Sequence, residues 1–377
     1  MTAIWEVPAQ GHAVELLRDA VAADAVGHAW ALIGPGGVGQ EALTRSLAAA
    51  LNCDAAITGC GTCPSCRPSL RGAHPAYWEF VPVGAVHRVG DVRHQWTHVA
   101  SRTAAEGHVK VLRVVDADRM NEAAANAFLK VLEEPPPRTV WVLELADPEE
   151  LPDTIVSRCR VVRVSPWDRD TLREAAAGTD ATPADRELAV RAAMGSPARL
   201  HQLLGTDEGL ADLRRHRRIP RELRERGPGY ALVAAHELGA EMKRAVAEVQ
   251  EAAKQESAQL EEFYGDAPPR DVVRQLEQRA TRREREVKTT VAQTTLDDLA
   301  GWYRDVLLVR GGGDPAEALH ADDAEGLRAD ADMLTEQALL RSLDTLFARR
   351  EELELNVQVT LAVEALLLDL WTIATAA

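Results

Sequence analysis

Cys53, Cys60, Cys63 and Cys66 fall within fourteen residues, in the segment Asn52-Cys53-Asp54-Ala55-Ala56-Ile57-Thr58-Gly59-Cys60-Gly61-Thr62-Cys63-Pro64-Ser65-Cys66. Two interlocking Cys-x2-Cys pairs let the sulfurs wrap one ion, and the residues between them are turn formers. A structural zinc held by four thiolates fits this spacing and leaves no open position for catalysis; an iron–sulfur cluster and free thiols are the alternatives. A second group is arranged to meet phosphate. Gly34-Pro35-Gly36-Gly37-Val38-Gly39-Gln40-Glu41 keeps the G-x-x-x-x-G spacing of a phosphate loop and lies between an apolar run and a helical pattern. In a working loop the next residues are a lysine, which carries charge to the β and γ phosphates, and a hydroxyl that ligates magnesium. Gln40 is neutral and Glu41 is negative, so tight binding of a magnesium nucleotide is disfavoured twice and no productive ATP or magnesium is expected. Residual binding through backbone amides at the helix N-terminus stays open. Farther on, Val114-Val115-Asp116-Ala117-Asp118 closes another apolar run. Asp116 is suited to hold magnesium, but Ala117 stands where a water-activating glutamate would be needed.

Holding these loops together calls for a parallel α/β sheet. Short apolar runs start at Ala29, span Val109 to Val115 and Thr139 to Leu145, and recur around Tyr77 to Val83, with helical segments between them. The strands stop after Val164. Asp168 to Leu204 reads as a small helical domain punctuated by Gly195-Ser196-Pro197. Beyond Gly205 the pattern is helical: Leu210 to Arg226, Tyr230 to Phe263, Val272 to Leu307, then Leu334 to the C-terminus. Pro228, Ala267-Pro268-Pro269 and Gly311-Gly312-Gly313-Asp314-Pro315 separate these helices. The expected domains are 1–165, 166–206 and 207–377.

A chain of 377 residues exceeds one compact core, and its 4% aromatic content with abundant Ala, Leu and Arg favours helix over a β-sandwich or barrel. The formal charge of −16 is awkward for a protein that grips DNA alone, because such affinity comes from lysine and arginine displacing counterions. DNA contact is therefore expected to be shared or indirect, and a zinc-stabilised DNA-binding module is disfavoured. No run reaches the ~20 apolar residues needed to cross a bilayer, and no basic flank precedes an apolar run at the N-terminus, so a cytoplasmic location without membrane contact is expected. Five cysteines make a poor disulfide framework for this length and point to metal or a reducing compartment. The basic run Arg214-Arg215-His216-Arg217-Arg218 is a candidate contact for DNA or an acidic partner. The charged stretch 241–288, with Glu261-Glu262, Arg282-Arg283 and Arg285, reads as an exposed helical hairpin with solvated faces.

One further segment carries a resemblance. Ala146-Asp147-Pro148-Glu149-Glu150-Leu151-Pro152-Asp153-Thr154-Ile155-Val156-Ser157-Arg158-Cys159 follows the third run. With the Gly34 loop, the cysteine knuckle after the first helix, and Asn126-Ala127-Phe128-Leu129-Lys130-Val131-Leu132-Glu133-Glu134-Pro135-Pro136, it resembles the clamp-loader subunits of bacterial DNA polymerase III, an AAA+ family. The resemblance covers roughly residues 28 to 160. Glu354 to Leu367 is also similar to the family's last collar helix. The resemblance implies an α/β P-loop domain with a zinc knuckle, a small helical lid and an all-α collar that oligomerises with gamma/tau and delta subunits in a hetero-pentamer. Such a complex loads a sliding clamp onto primer–template DNA. Loss of the loop lysine aligns the chain with the family's delta-prime branch: a stator without intrinsic ATPase, whose Arg158 completes a neighbour's ATP site as an arginine finger in trans. An active gamma/tau-type ATPase is the alternative. The absence of a polar residue at Leu145-Ala146 agrees with a silent site, and Arg199, near the second nucleotide sensor, is left without a role.

Overall fold

In the computed structural model, which describes residues 3–82, 86–102, 109–206, 208–264, 270–353 and 358–376, the apolar runs pair side by side as parallel strands. The chain divides into two units, Met1–Asp168 with Gln255–Gln278, and Arg169–Lys254 with Arg279–Ala377. The α/β part of the first unit runs α1 (Gly11–Ala22), β1 (Ala29–Ile33), α2 (Gln40–Leu51), α3 (Cys66–Leu70), β2 (Tyr77–Phe80), α4 (Thr97–Ser101), β3 (Lys110–Val114), α5 (Glu122–Glu133), β4 (Thr139–Leu145), α6 (Asp153–Val156) and β5 (Arg160–Arg163).

Among the described residues the sheet has five strands in the order β2-β3-β4-β1-β5, all parallel. β1 and β4 are buried along their whole lengths, as strands covered by helices on both faces must be. Their alternation divides the core. Trp30, Leu32, Val140 and Val142 pack with α1 and α2 on one face, while Ala31, Ile33, Trp141 and Leu143 pack with α5 on the other. On that second face Phe128 meets Trp141 edge-on at 4.9 Å and Trp96 at 5.5 Å. Trp96 ends a π-helical stretch, Asp91–Trp96, that runs into α4. β1 and β4 are neighbours whose connections leave in opposite directions, so a crevice opens at the carboxyl edge between them. The Gly34 loop, Asp116 and the Ala146 loop all follow strands at that edge.

The expected strand from Tyr77 ends at Phe80, with Val83 outside the described residues. β5 ends the strand region that was expected to stop after Val164; its two arginines interrupt the apolar run, and at the sheet edge only Val162 of the four has to be buried.

The second unit is helical: α7 (Arg169–Ala177), α8 (Pro183–Ala192), α9 (Pro197–Leu204), α10 (Gly209–His216), α11 (Ile219–Arg226), α14 (Ala324–Met333), α15 (Glu336–Glu352) and α16 (Val359–Thr375). It also contains the outer parts of two long helices, α12 (Gly229–Tyr264) and α13 (Arg270–Arg310), which continue across the division. The segment Leu210 to Arg226, expected as one helix, is two, because Pro220 has no N–H to offer the carbonyl of His216. Leu238 and Met242 of α12, Leu296, Trp302 and Tyr303 of α13, Leu339 and Leu346 of α15 and Leu366 and Leu370 of α16 share one core. Residues 354–357 of the expected last collar helix, the Ala267-Pro268-Pro269 break and the side chains of Glu261, Glu262, Arg282 and Arg285 lie outside the described set.

Candidate functional site

Gly34 leaves β1 with φ +154°, and a Cβ there would lie 2.1 Å from the Val164 carbonyl oxygen, so the turn has no room for a side chain. Its N–H donates to the Leu145 carbonyl at 3.0 Å, tying the loop to β4. The loop then closes on Gln40, the first residue of α2, which is 3% exposed and turned inward. Gln40 Oε1 accepts from the Val38 N–H at 3.1 Å, while Nε2 donates to the carbonyls of Pro35 at 2.5 Å and Gly34 at 3.4 Å. The Val38 carbonyl accepts in turn from Gln10 Nε2 at 3.1 Å and Trp167 Nε1 at 2.9 Å. Gln10 also pairs with the Ser165 backbone, donating to its carbonyl at 2.7 Å and accepting from its N–H at 3.2 Å. Asp116 sits after β3 in the left-handed region, φ 50° and ψ 53°, with Arg119 Nε 3.9 Å away. It is Asp118 that links the two acidic loops, accepting from the N–H groups of Ala146 at 2.7 Å and Asp147 at 3.2 Å.

Glu41 is anchored below the loop. It pairs with Arg45 one turn along α2, and Arg113 Nη1 of β3 lies 3.9 Å from it. Arg113 forks onto Glu144 of β4 at 2.7 and 2.8 Å and also donates to Glu79 of β2. Burial works against the Arg113 charge, but Glu144 and its neighbours outweigh it and hold the guanidinium firmly protonated. Burial lifts the Glu144 carboxyl above the usual range, against the pull of Arg113, and pushes the Tyr77 hydroxyl up to about 12. This network is invisible to motif reasoning; its only signal is charge at alternate positions of strands that are otherwise apolar.

The four cysteines converge. Their sulfurs lie within 4.8 Å of one another, Cys60 to Cys66 at 4.0 Å and Cys53 to Cys63 at 3.9 Å. A tetrahedral ion bound by thiolates would set these edges at ~3.8 Å, so the donor set can hold a metal ion. Three of the four sulfurs accept from the amide of the next ligand: Cys53 from Cys60, Cys60 from Cys63 and Cys63 from Cys66, all at 3.3 Å. The Thr62 amide and hydroxyl draw the Cys60 thiol down to about 6, whereas burial pushes Cys66 up to about 12. Gly59 and Gly61, with φ +86° and +78°, turn the knuckle under Ile4.

Arg158 is not brought to the glycine loop. β5 pairs with β1 in parallel, Trp30 with Arg160 and Ile33 with Arg163. Arg158 therefore precedes β5 at the amino edge while Gly34 follows β1 at the carboxyl edge, and at ~3.3 Å per residue the two are about 20 Å apart. Its guanidinium is partly exposed, donating to Glu133 Oε1 and the Thr154 carbonyl, each at 2.8 Å.

In the helical unit, Arg199 Nη2 donates to both carboxylate oxygens of Asp298 of α13, at 2.7 and 2.8 Å. His216 shares that carboxylate through Nδ1 at 2.9 Å and reaches Glu241 of α12 through Nε2 at 3.1 Å. Burial alone would keep the His216 imidazole neutral, but the hydrogen bonds to Asp298 and Glu241 outweigh it and lift it to about 9. Three arginines of the basic run around it are also paired. Arg214 binds Asp185, Arg215 binds Asp212 and Glu241, and Arg217 Nη1 donates to both oxygens of Asp322. These three arginines are paired within the chain, while Arg218 is exposed.

Residues 9–168 match the family described as DNA polymerase III, delta subunit. The chain is 43% identical over 136 residues to the delta-prime subunit of Pseudomonas aeruginosa, covering 35% of this chain and 41% of that one. It is 32% identical over 172 residues to the tau subunit of Salmonella typhimurium, covering 45% of this chain and 26% of that one. It thus spans under half the length of these relatives. A gamma-subunit-related protein from Thermotoga maritima aligns with 96% of this chain and 99% of its own, at 17% identity and a TM-score of 0.44. No helix among the described residues is long and apolar enough to cross a membrane. Over residues 9–168 this chain is similar to subunits of DNA polymerase III, delta-prime among them.

Proposed function

We propose that the chain is a delta-prime-like stator of the clamp loader in DNA replication: a cytoplasmic component of the DNA polymerase III holoenzyme that has no ATPase of its own and acts on nucleotide held by a neighbour. The observation that carries this reading is the glycine loop, where Gln40 fills the interior with its own carboxamide and Glu41 is tied into a buried ion network. A phosphate group would meet no lysine there. Arg158 is the group that acts outward. It lies at the opposite edge of the sheet from the loop, so any nucleotide it touches belongs to another subunit. Its exposed pair with Glu133 is weak enough to exchange for a phosphate, and its planar fork suits charge on a transferring γ-phosphoryl group.

The proposed organisation keeps the α/β domain at 1–165, a lid at 166–206 and a collar at 207–377. Zinc at Cys53, Cys60, Cys63 and Cys66 would staple a loop too short to have a core of its own. The collar meets gamma/tau and delta subunits, and through that hetero-pentamer the chain serves the sliding clamp and primer–template DNA. Support for a collar interface comes from Leu340 and Phe347 of α15 and Leu361 and Leu368 of α16, each pair seven residues apart and exposed. The second reading is a tau-like ATPase, favoured by 32% identity to tau subunits over 172 residues.

The test is a loader reconstituted with ATP-binding partner subunits. Arg158→Ala is expected to leave assembly intact and to lower DNA-stimulated turnover at the completed site by roughly tenfold or more. Arg158→Lys should not restore it, because the ammonium lacks the fork. An unchanged rate in Arg158→Ala would remove the finger role.

A further inference from the structure

Gln40 is more than an absent lysine. Resting on the reading of the loop as silent, we propose that Gln40 is an internal ligand of the glycine loop, which fixes the loop, and through Val38 the Gln10 and Ser165–Trp167 segments, in one shape without nucleotide. In a nucleotide-binding loop the backbone amides face phosphate oxygens. Here the Val38 N–H faces Gln40 Oε1 at 3.1 Å, and the Gln40 amide hydrogens face the carbonyls of Pro35 and Gly34. Only a carboxamide can do both. Lysine offers donors alone and would leave the Val38 N–H without its acceptor; glutamate offers acceptors alone and would set its charge against two carbonyl oxygens.

The bond network continues past the loop. Val38 donates to Gln40 through its N–H and accepts from Gln10 and Trp167 through its carbonyl. Gln10 in turn pairs with both backbone groups of Ser165, just where the chain leaves β5. Gln10 and Gln40 are both 3% exposed, so neither set of bonds is in competition with bulk water. The exit segment at Ser165–Trp167 is thereby referenced to the sheet by side chains of this chain. In a motor subunit that reference would change as nucleotide comes and goes; here it is constant.

Hydrogen exchange of the full-length chain, read at single amides, tests this. In Gln40→Leu, which keeps bulk but loses both bonding partners, the amides of Val38 and Ser165 are expected to exchange roughly tenfold faster or more, with the β3 amides Val111 to Val114 unchanged. Gln40→Glu keeps the acceptor for Val38 and is expected to protect that amide better than leucine does. Unchanged protection of Val38 and Ser165 in Gln40→Leu, or an equal rise in the β3 amides, would overturn the internal-ligand role. Magnesium ATP added to the wild-type chain separates the two claims. Turnover of that nucleotide would defeat the silent-site reading, whereas a silent wild-type chain whose Gln40→Leu variant exchanges normally would defeat the internal ligand alone.

Discussion

At the scale of single residues, the chemistry of this chain turns on what replaces a missing group. Gln40 does not leave a hole where lysine would be; it spends its donors and acceptor on the loop itself. The glycine spacing and the lost lysine were legible in the sequence, but the inward turn of the amide was not, because it depends on how Gly34, Gly37 and Gly39 curve the backbone. The cysteine site was legible almost in full, since all its donors are local and a short turn-rich segment has few other ways to fold. Cys63→Ser removes one of four thiolates and exposes the rest to competition from water. The variant is expected to lose bound zinc in a metal assay and to melt at lower temperature; zinc absent from the native chain would contradict the assignment. Arg113 was not legible at all, because a charge in mid-strand reads as a solvent-facing position until the partners Glu79 and Glu144 are known.

At the scale of elements, long-range polar contacts decide what moves with what. Asp298 of α13 receives Arg199 from α9 and His216 from α10, while Glu241 of α12 receives His216 and Arg215. Arg199 and Asp298 are 99 residues apart in sequence, so nothing in either local pattern pointed to their pairing; separation also hid the partners of Arg214, 29 residues away, and Arg217, 105 residues away. Helix positions fared better, since Tyr230 to Phe263 was expected and Gly229–Tyr264 formed. His216 has its pKa raised in the folded state, from 6.5 to about 9. Its contribution to stability is therefore fully present below 6.5 and is lost as pH climbs through about 9, amounting to roughly 3 kcal/mol across that window. The wild-type melting temperature should fall over this range more than that of His216→Gln, and parallel pH profiles for the two would contradict the network.

At the scale of the whole molecule, the proposed stator would supply position and one cation to its neighbours. Its α15 and α16 expose apolar side chains at seven-residue spacing, and α16 is apolar around much of its circumference. Leu361→Glu should leave the isolated chain's melting temperature nearly unchanged, since the site is more than half exposed. It should weaken assembly with partner subunits in sedimentation or size-exclusion measurements; full assembly would show that this face is not the interface. The charge of −16 weighs, at this scale, against a chain that grips DNA alone. The most direct measurement is magnesium-ATP turnover by the purified, isolated chain. A silent phosphate loop predicts no phosphate release above the protein-free background, in the wild type and in Asp116→Ala alike; turnover that Asp116→Ala abolishes would contradict it.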